Sequence, residues 1–101
     1  MTEKNSPDPS DFDYEAALLA CARGEKFALQ AIYARDSRWL FAVAYRIVKR
    51  RELAEEVLHD AMVKVWNRSR LYSPALGSAR GWVYTVVRNQ ALNTVRKRIM
   101  E

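Results

Sequence analysis

A single cysteine leaves this sequence without an internal disulfide, and Cys21 stands inside the apolar run AALLACA. It reads as a small buried side chain in a reducing compartment, with a reactive thiol as the alternative. Glycine and proline are scarce too, three of each among 101 residues of which half are hydrophobic. A compact, largely helical chain with one core is therefore expected. No apolar run, LFAVAY at Leu40 to Tyr45 included, approaches membrane-spanning length. The N-terminal MTEKNSPDPSDFD has no basic flank followed by an apolar core, so no secretory signal is read there. These two absences place the chain in the cytoplasm, with no membrane partner. There is no phosphate-binding glycine loop, dinucleotide fingerprint, triad pattern or metal-ligand spacing. The expectation is a protein that is not an enzyme, with no catalytic residue, no metal and no cofactor.

The most informative absence is of negative charge. Eleven of the twelve acids lie in residues 1–60, and none lies between Asp60 and Glu101. Over that stretch Lys64, Arg68, Arg70, Arg80, Arg88, Arg96, Lys97 and Arg98 are all cationic. A field of one sign suits a polyanion, although a merely solvated basic face is the plainer reading of any charge run.

Taken in order, the chain predicts an all-α fold, a bundle of about four helices behind a disordered lead-in at residues 1–10. Two of the three prolines fall in that lead-in. The domain then runs over residues 11–101. Asp11 or Asp13 caps a short helix, DYEAALLACAR, that stops where Gly24 offers a left-handed position. From Glu25 to Arg50 helical periodicity continues, with Phe27, Ala31, Leu40, Val43, Ala44, Ile47 and Val48 as expected core. A bend is expected at Asp36 and Ser37, whose side chains compete for local backbone groups. The cluster Lys49, Arg50, Arg51 closes this helix, where cations suit the dipole.

The third helix, ELAEEVLHDAMVKVWNRS, begins near Glu52 and buries Leu53, Ala54, Val57, Leu58, Ala61 and Val65. Glu56, Asp60, Val63 and Asn67 form a separate row at spacings of four, three and four. A valine set among acids and an amide fits a partner helix of basic and apolar residues. An ordinary solvated face with one stray valine is the alternative. His59 lies beside the row without a second ligand at metal spacing, so it reads as a surface or interface residue.

The segment RLYSPALGSAR, Arg70 to Arg80, holds the third proline and reads as a loop. Leu71, Tyr72 and Leu76 with the turn residues there make a small exposed pocket, and Ser78 caps the last helix. On that helix, at ~100° per residue, Val83, Tyr84, Val87, Ala91 and Val95 form an apolar stripe. The opposite face carries Trp82, Val86, Asn89, Asn93, Arg96 and Lys97. Amides bond base edges, rings stack on unpaired bases and cations neutralise phosphates.

The order and spacing of ALQAIYARDSRWLFAVAYRIV, ELAEEVLHDAMVKVW and GSARGWVYTVVRNQALNTVRKR resemble the extracytoplasmic-function sigma factors, small bacterial factors that direct RNA polymerase to promoters. The matching stretches cover about Ala28 to Arg98, and the resemblance implies the second domain of such a factor. By that resemblance the third helix docks on the clamp helices of the polymerase beta-prime subunit through Glu56, His59, Asp60, Val63 and Asn67. The loop and last helix then read and help melt the promoter element nearest the start site. A base of the non-template strand is flipped into the loop, which implicates Leu71, Tyr72, Ser73, Ser78 and Arg80. Arg88, Asn89, Asn93, Arg96 and Lys97 face the strand. Trp82 either wedges beside the opened duplex or packs the last helix onto the core. An anti-sigma factor is a further partner that the resemblance implies. Many members carry Gln at the position of His59 and an acid at that of Asn93. The family adds a linker and a fourth domain, and the expectation here is an excised domain or a truncated relative with weak affinity for duplex promoter.

Two other functions compete with this one. A helix-turn-helix regulator would prefer intact duplex, but an eleven-residue loop stands where its short turn belongs. A helical protein-interaction module would use the same basic face on an acidic protein.

Overall fold

The computed structural model describes residues 12–100, with side chains through residue 99. The expected lead-in at residues 1–10 and Asp11 as a candidate cap lie outside the described residues.

Helix α1, Tyr14–Ala22, starts where the Asp13 side chain accepts a hydrogen bond from the Ala16 backbone N–H at 3.0 Å. It ends at Gly24, whose φ of 84° is the left-handed conformation the stop requires. Helix α2, Lys26–Val48, follows at once. Its buried residues are Ala28, Ile32, Asp36, Leu40, Ala44 and Val48, a strict repeat of four. Such a repeat overshoots a full turn by 40° each time, so the buried stripe winds slowly around the helix. Phe27 and Ala31 each stand one residue before a member of the stripe and turn about 100° away from it. Both are exposed, Phe27 by 59%, and neither belongs to the core as expected. Val43 and Ile47 are only partly buried and pack on its edge.

The expected bend at Asp36 and Ser37 is absent, and α2 runs unbroken. The Asp36 carboxylate accepts from the Tyr14 hydroxyl at 2.6 Å and from Arg80 Nε at 3.0 Å, so it is drawn off the backbone it was expected to disturb. The closing cluster also divides differently. Lys49 takes the left-handed cap with φ 65°, Arg50 is extended, and Arg51 already opens helix α3, Arg51–Arg68. The third cation thus sits at a helix start, and an i,i+4 pair from Arg51 to Glu55 at 3.7 Å offsets that placement.

A two-residue connection folds α3 back along α2, and the Arg51 guanidinium lies 5.8 Å from the Phe41 ring centroid. The α3 side of the core comprises Leu53, Ala54, Val57, Leu58, Ala61, Met62 and Val65, the expected set with Met62 added. Two 3-10 turns, Ser69–Leu71 and Pro74–Leu76, then lead into helix α4, Ala79–Met100. Ser78 Oγ accepts from the Gly81 N–H at 2.9 Å, which is the expected cap. Val83, Val87 and Ala91 are fully buried, while Tyr84 and Val95 flank them half-buried. Each fully buried valine or leucine contributes roughly 1.5–3 kcal/mol. Helix α4 packs against both α2 and α3, and α1 closes the bundle against α2, α4, α3 and the first 3-10 turn. Cys21 is buried in that closure, and burial raises its thiol pKa. Such a thiol stays protonated and unreactive, in keeping with the structural reading rather than the reactive one.

Candidate nucleic-acid and partner interfaces

Helix α3 turns one arc inward and the opposite arc out. Glu56, His59, Asp60, Val63 and Asn67 are all exposed, Val63 by 45%. At 100° per residue these five fall within a single arc about 100° wide, so the structure brings the whole row together. The arc borders a feature that periodicity on one helix does not reveal. A groove of about 830 Å³ runs between α2 and α3, floored by Leu29, Tyr33, Phe41, Leu58, Met62 and Trp66, and both His59 and Val63 line it. Lys26, Arg38 and Arg51 place cations along it, with Glu55 as its carboxylate. The signal that could have found its α2 wall is the excess of aromatics on that helix. Phe27, Tyr33, Phe41 and Tyr45 lie off the buried repeat, and a helix apolar on more than one face needs a second covering.

The loop between α3 and α4 is held from within. Ser69 is buried and its hydroxyl donates to the Trp66 carbonyl at 3.1 Å. The Tyr72 hydroxyl donates to the Gly77 carbonyl at 2.8 Å, closing the segment on itself. Partial desolvation, and then the Glu15 carboxylate, raise the Tyr72 pKa, so that donor stays protonated. Gly77 has φ 104° and ψ −167°, a region essentially reserved to glycine where any other residue stores about 1–3 kcal/mol. Leu71, 70% exposed, and Leu76, 59% exposed, project from the loop, and Ser73 and Ser78 are exposed beside them.

On α4, Asn89, Asn93, Arg96 and Lys97 are exposed and lie along one line, with Trp82 and Val86 half-buried at its upper end. Arg96 Nη1 donates to Asn93 Oδ1 at 3.0 Å, which leaves the amide NH2 as a free donor on the exposed side chain. The Trp82 ring meets Tyr72 at a centroid distance of 5.9 Å and an interplanar angle of 58°, joining loop to helix. Two of the expected strand-facing residues stand apart from this line. Arg88 is exposed but adjoins Asn89 in sequence, so it points about 100° away around the helix. Arg80 points toward α2, where its Nε meets Asp36 Oδ2 at 3.0 Å and its guanidinium carbon lies 3.8 Å from the Trp39 ring centroid.

The all-helical domain thus presents two exposed faces, one acidic and apolar on α3 and one of amides and cations on α4. Residues 32–99 match the family model described as Sigma-70 region 2. The chain belongs to that family. Among its relatives is the ECF RNA polymerase sigma factor SigK of Mycolicibacterium vanbaalenii, 26% identical over 84 residues, which are 83% of this chain and 43% of that protein. SigK of Mycobacterium ulcerans is 28% identical over 90 residues, 89% of this chain and 48% of that protein. The ECF RNA polymerase sigma factor RpoE of Cereibacter sphaeroides is 36% identical over 44 residues, 44% of this chain and 24% of that protein. The chain thus spans less than half the length of these curated relatives. No solved structure matches it. Among the described residues no helix is long and apolar enough to cross a membrane.

Proposed function

We propose that this domain binds RNA polymerase through the outward arc of α3 and captures an unwound promoter strand with the loop and the outer line of α4. The observation that carries the reading is the separation of the two chemistries onto different helices. Glu56, Asp60 and Val63 share one exposed arc of α3, whereas Asn89, Asn93, Arg96 and Lys97 share one exposed line of α4 from which every acid is missing. The first suits the basic and apolar face of a helical partner, the clamp helices of the beta-prime subunit. The second suits a single strand, whose bases present edges to amides and whose phosphates meet cations. A flipped base would lodge against the loop beside Leu71 and Tyr72, near the Trp82 ring that Tyr72 meets. No bond is made or broken in this scheme, because binding to the separated strand supplies the drive for melting.

The reading is tested by comparing fluorescently labelled single-stranded DNA of promoter sequence with the same sequence as duplex. Tighter binding to the single strand is expected, and preference for the duplex would move the assignment to a helix-turn-helix regulator. Within the single strand, Asn89→Ala and Asn93→Ala are expected to reduce discrimination among bases by about 1–3 kcal/mol each while leaving the helix content unchanged. Arg96→Ala is expected to weaken binding to every sequence and to lower the logarithmic salt slope by about 0.7. Because Arg96 also orients Asn93, that variant should share part of the lost discrimination. Equal, sequence-independent losses for all three would rule out base reading by the amides.

A further inference from the structure

Asp36 is the one charged residue in the buried repeat of α2, and it is only 7% exposed. A buried carboxylate persists when cations and donors surround it. Here Tyr14 of α1 donates at 2.6 Å, Arg80 of α4 at 3.0 Å, and the neighbouring Arg35 stands 3.9 Å away. Burial, then the hydrogen bond to Asp36, hold the Tyr14 phenol well above its ordinary pKa, so it remains a donor. Arg80 is bound to this site by more than charge. It lies over Trp39 at 3.8 Å, and Tyr84, one turn further along α4, stacks on the same Trp39 ring at 5.7 Å and 17°.

The placement has a physical logic. Arg80 is the second residue of α4, at the end of a helix where a cation is unfavourable unless an anion stands nearby. A phosphate that drew Arg80 outward would leave Asp36 buried without its best-aligned cation, which opposes the exchange. The same carboxylate lies where α1, α2 and α4 meet. The loop's first turn, Ser69–Leu71, packs on α1, and its far end continues into α4, so both ends of the loop are moored to helices that Asp36 joins.

We propose that Arg80 is a positioning residue, which with Asp36 and Trp39 fixes the start of α4 and so sets the shape of the loop at residues 69–78, rather than a contact to phosphate. This inference rests on the strand-capture reading for its functional consequence but not for its structural one. Two readouts on the whole chain therefore test it. Arg80→Met, Arg80→Lys and Asp36→Asn are compared by amide hydrogen exchange over residues 70–82, and by affinity for single-stranded promoter-sequence DNA across a salt series. Lysine keeps the charge but loses the planar stack and fork, while asparagine keeps the acceptor for Tyr14. All three are expected to exchange faster over residues 70–82 and to bind several-fold more weakly, with the logarithmic salt slope unchanged. The Arg80→Met and Asp36→Asn effects should fail to add in the double variant, as expected of two ends of one interaction. A slope lowered by about 0.7 in Arg80→Met, with Arg80→Lys near the parent and Asp36→Asn binding as well or better, would make Arg80 a phosphate contact and overturn the proposal. Unchanged exchange over residues 70–82 in all three variants would overturn it as well. Failure of the parent chain to bind the strand would strike the strand-capture reading alone, and exchange would still decide the role of Arg80.

Discussion

Leu18→Ala is expected to lower the stability of the domain by about 2–5 kcal/mol, the range for a leucine truncated in a tight core. Domains of this size hold about 5–15 kcal/mol in total, so the loss takes a large share. Leu18 is 0% exposed on the middle of α1, a helix that precedes the family-matched residues 32–99. Its surroundings explain the size of the effect. Helix α1 packs on α2, α3, α4 and the first 3-10 turn, and it delivers Tyr14 to Asp36. A void at Leu18 opens in the buried face of that helix. Urea unfolding followed by circular dichroism should show a lower midpoint with an unchanged slope. A loss below about 1 kcal/mol would mark α1 as an appendage resting on a core that is complete without it.

Val63→Asp is expected to cut affinity for an isolated beta-prime clamp-helix fragment by about 30-fold or more, the scale of a binding hot spot of ~2 kcal/mol. Val63 is 45% exposed and lines the groove beside the acidic row, so the variant adds a third carboxylate where Glu56 and Asp60 already stand and removes the apolar contact between them. A charge carried into that contact would also lose its hydration without gaining a partner. Because the site faces solvent in the free domain, the unfolding midpoint should move by no more than the equivalent of about 0.5 kcal/mol. Calorimetric titration of the fragment separates the two quantities. Affinity equal to the parent's would show that the partner docks on another face.

How much of this was legible in the sequence depends on the range of the interaction involved. Most signals within one turn held, the exception being the Lys49–Arg51 cluster, whose last member opens α3. The Asp13 and Ser78 caps, the stop at Gly24 and the proline-bearing loop are local backbone chemistry, and each is where its residues imply. The buried face of α3 held as well, since its period is that of one regular helix against a broad core. Helix α2 was harder because its stripe drifts. A repeat of four over 23 residues carries the buried face around the helix, and a fixed window then assigns Phe27 and Ala31 to the wrong side. Asp36 was misjudged for a different reason. Its partners lie 22 and 44 residues away, and nothing local distinguishes a helix-bending aspartate from one that is satisfied at long range. The candidate surfaces divide in the same manner. The rows on α3 and α4 are visible in single-helix geometry, whereas the groove needs two helices side by side and the engagement of Arg80 needs three.

The two-residue link of Lys49 and Arg50 also bears on how the molecule assembles. Neighbours in sequence meet with little entropy lost in closing the chain between them, so α2 and α3 form a hairpin rapidly, on the microsecond scale of small helical units. During synthesis at about 5–20 residues per second, α4 emerges a second or more afterwards. For that interval the faces of α2 and α3 that pack on α4 are uncovered, and the nascent hairpin is a ready target for chaperones or for sticking to its own kind. Pulse-labelled exchange during refolding should find the α2 and α3 amides protected before those of α4, and simultaneous protection would mean that the four helices condense in a single step.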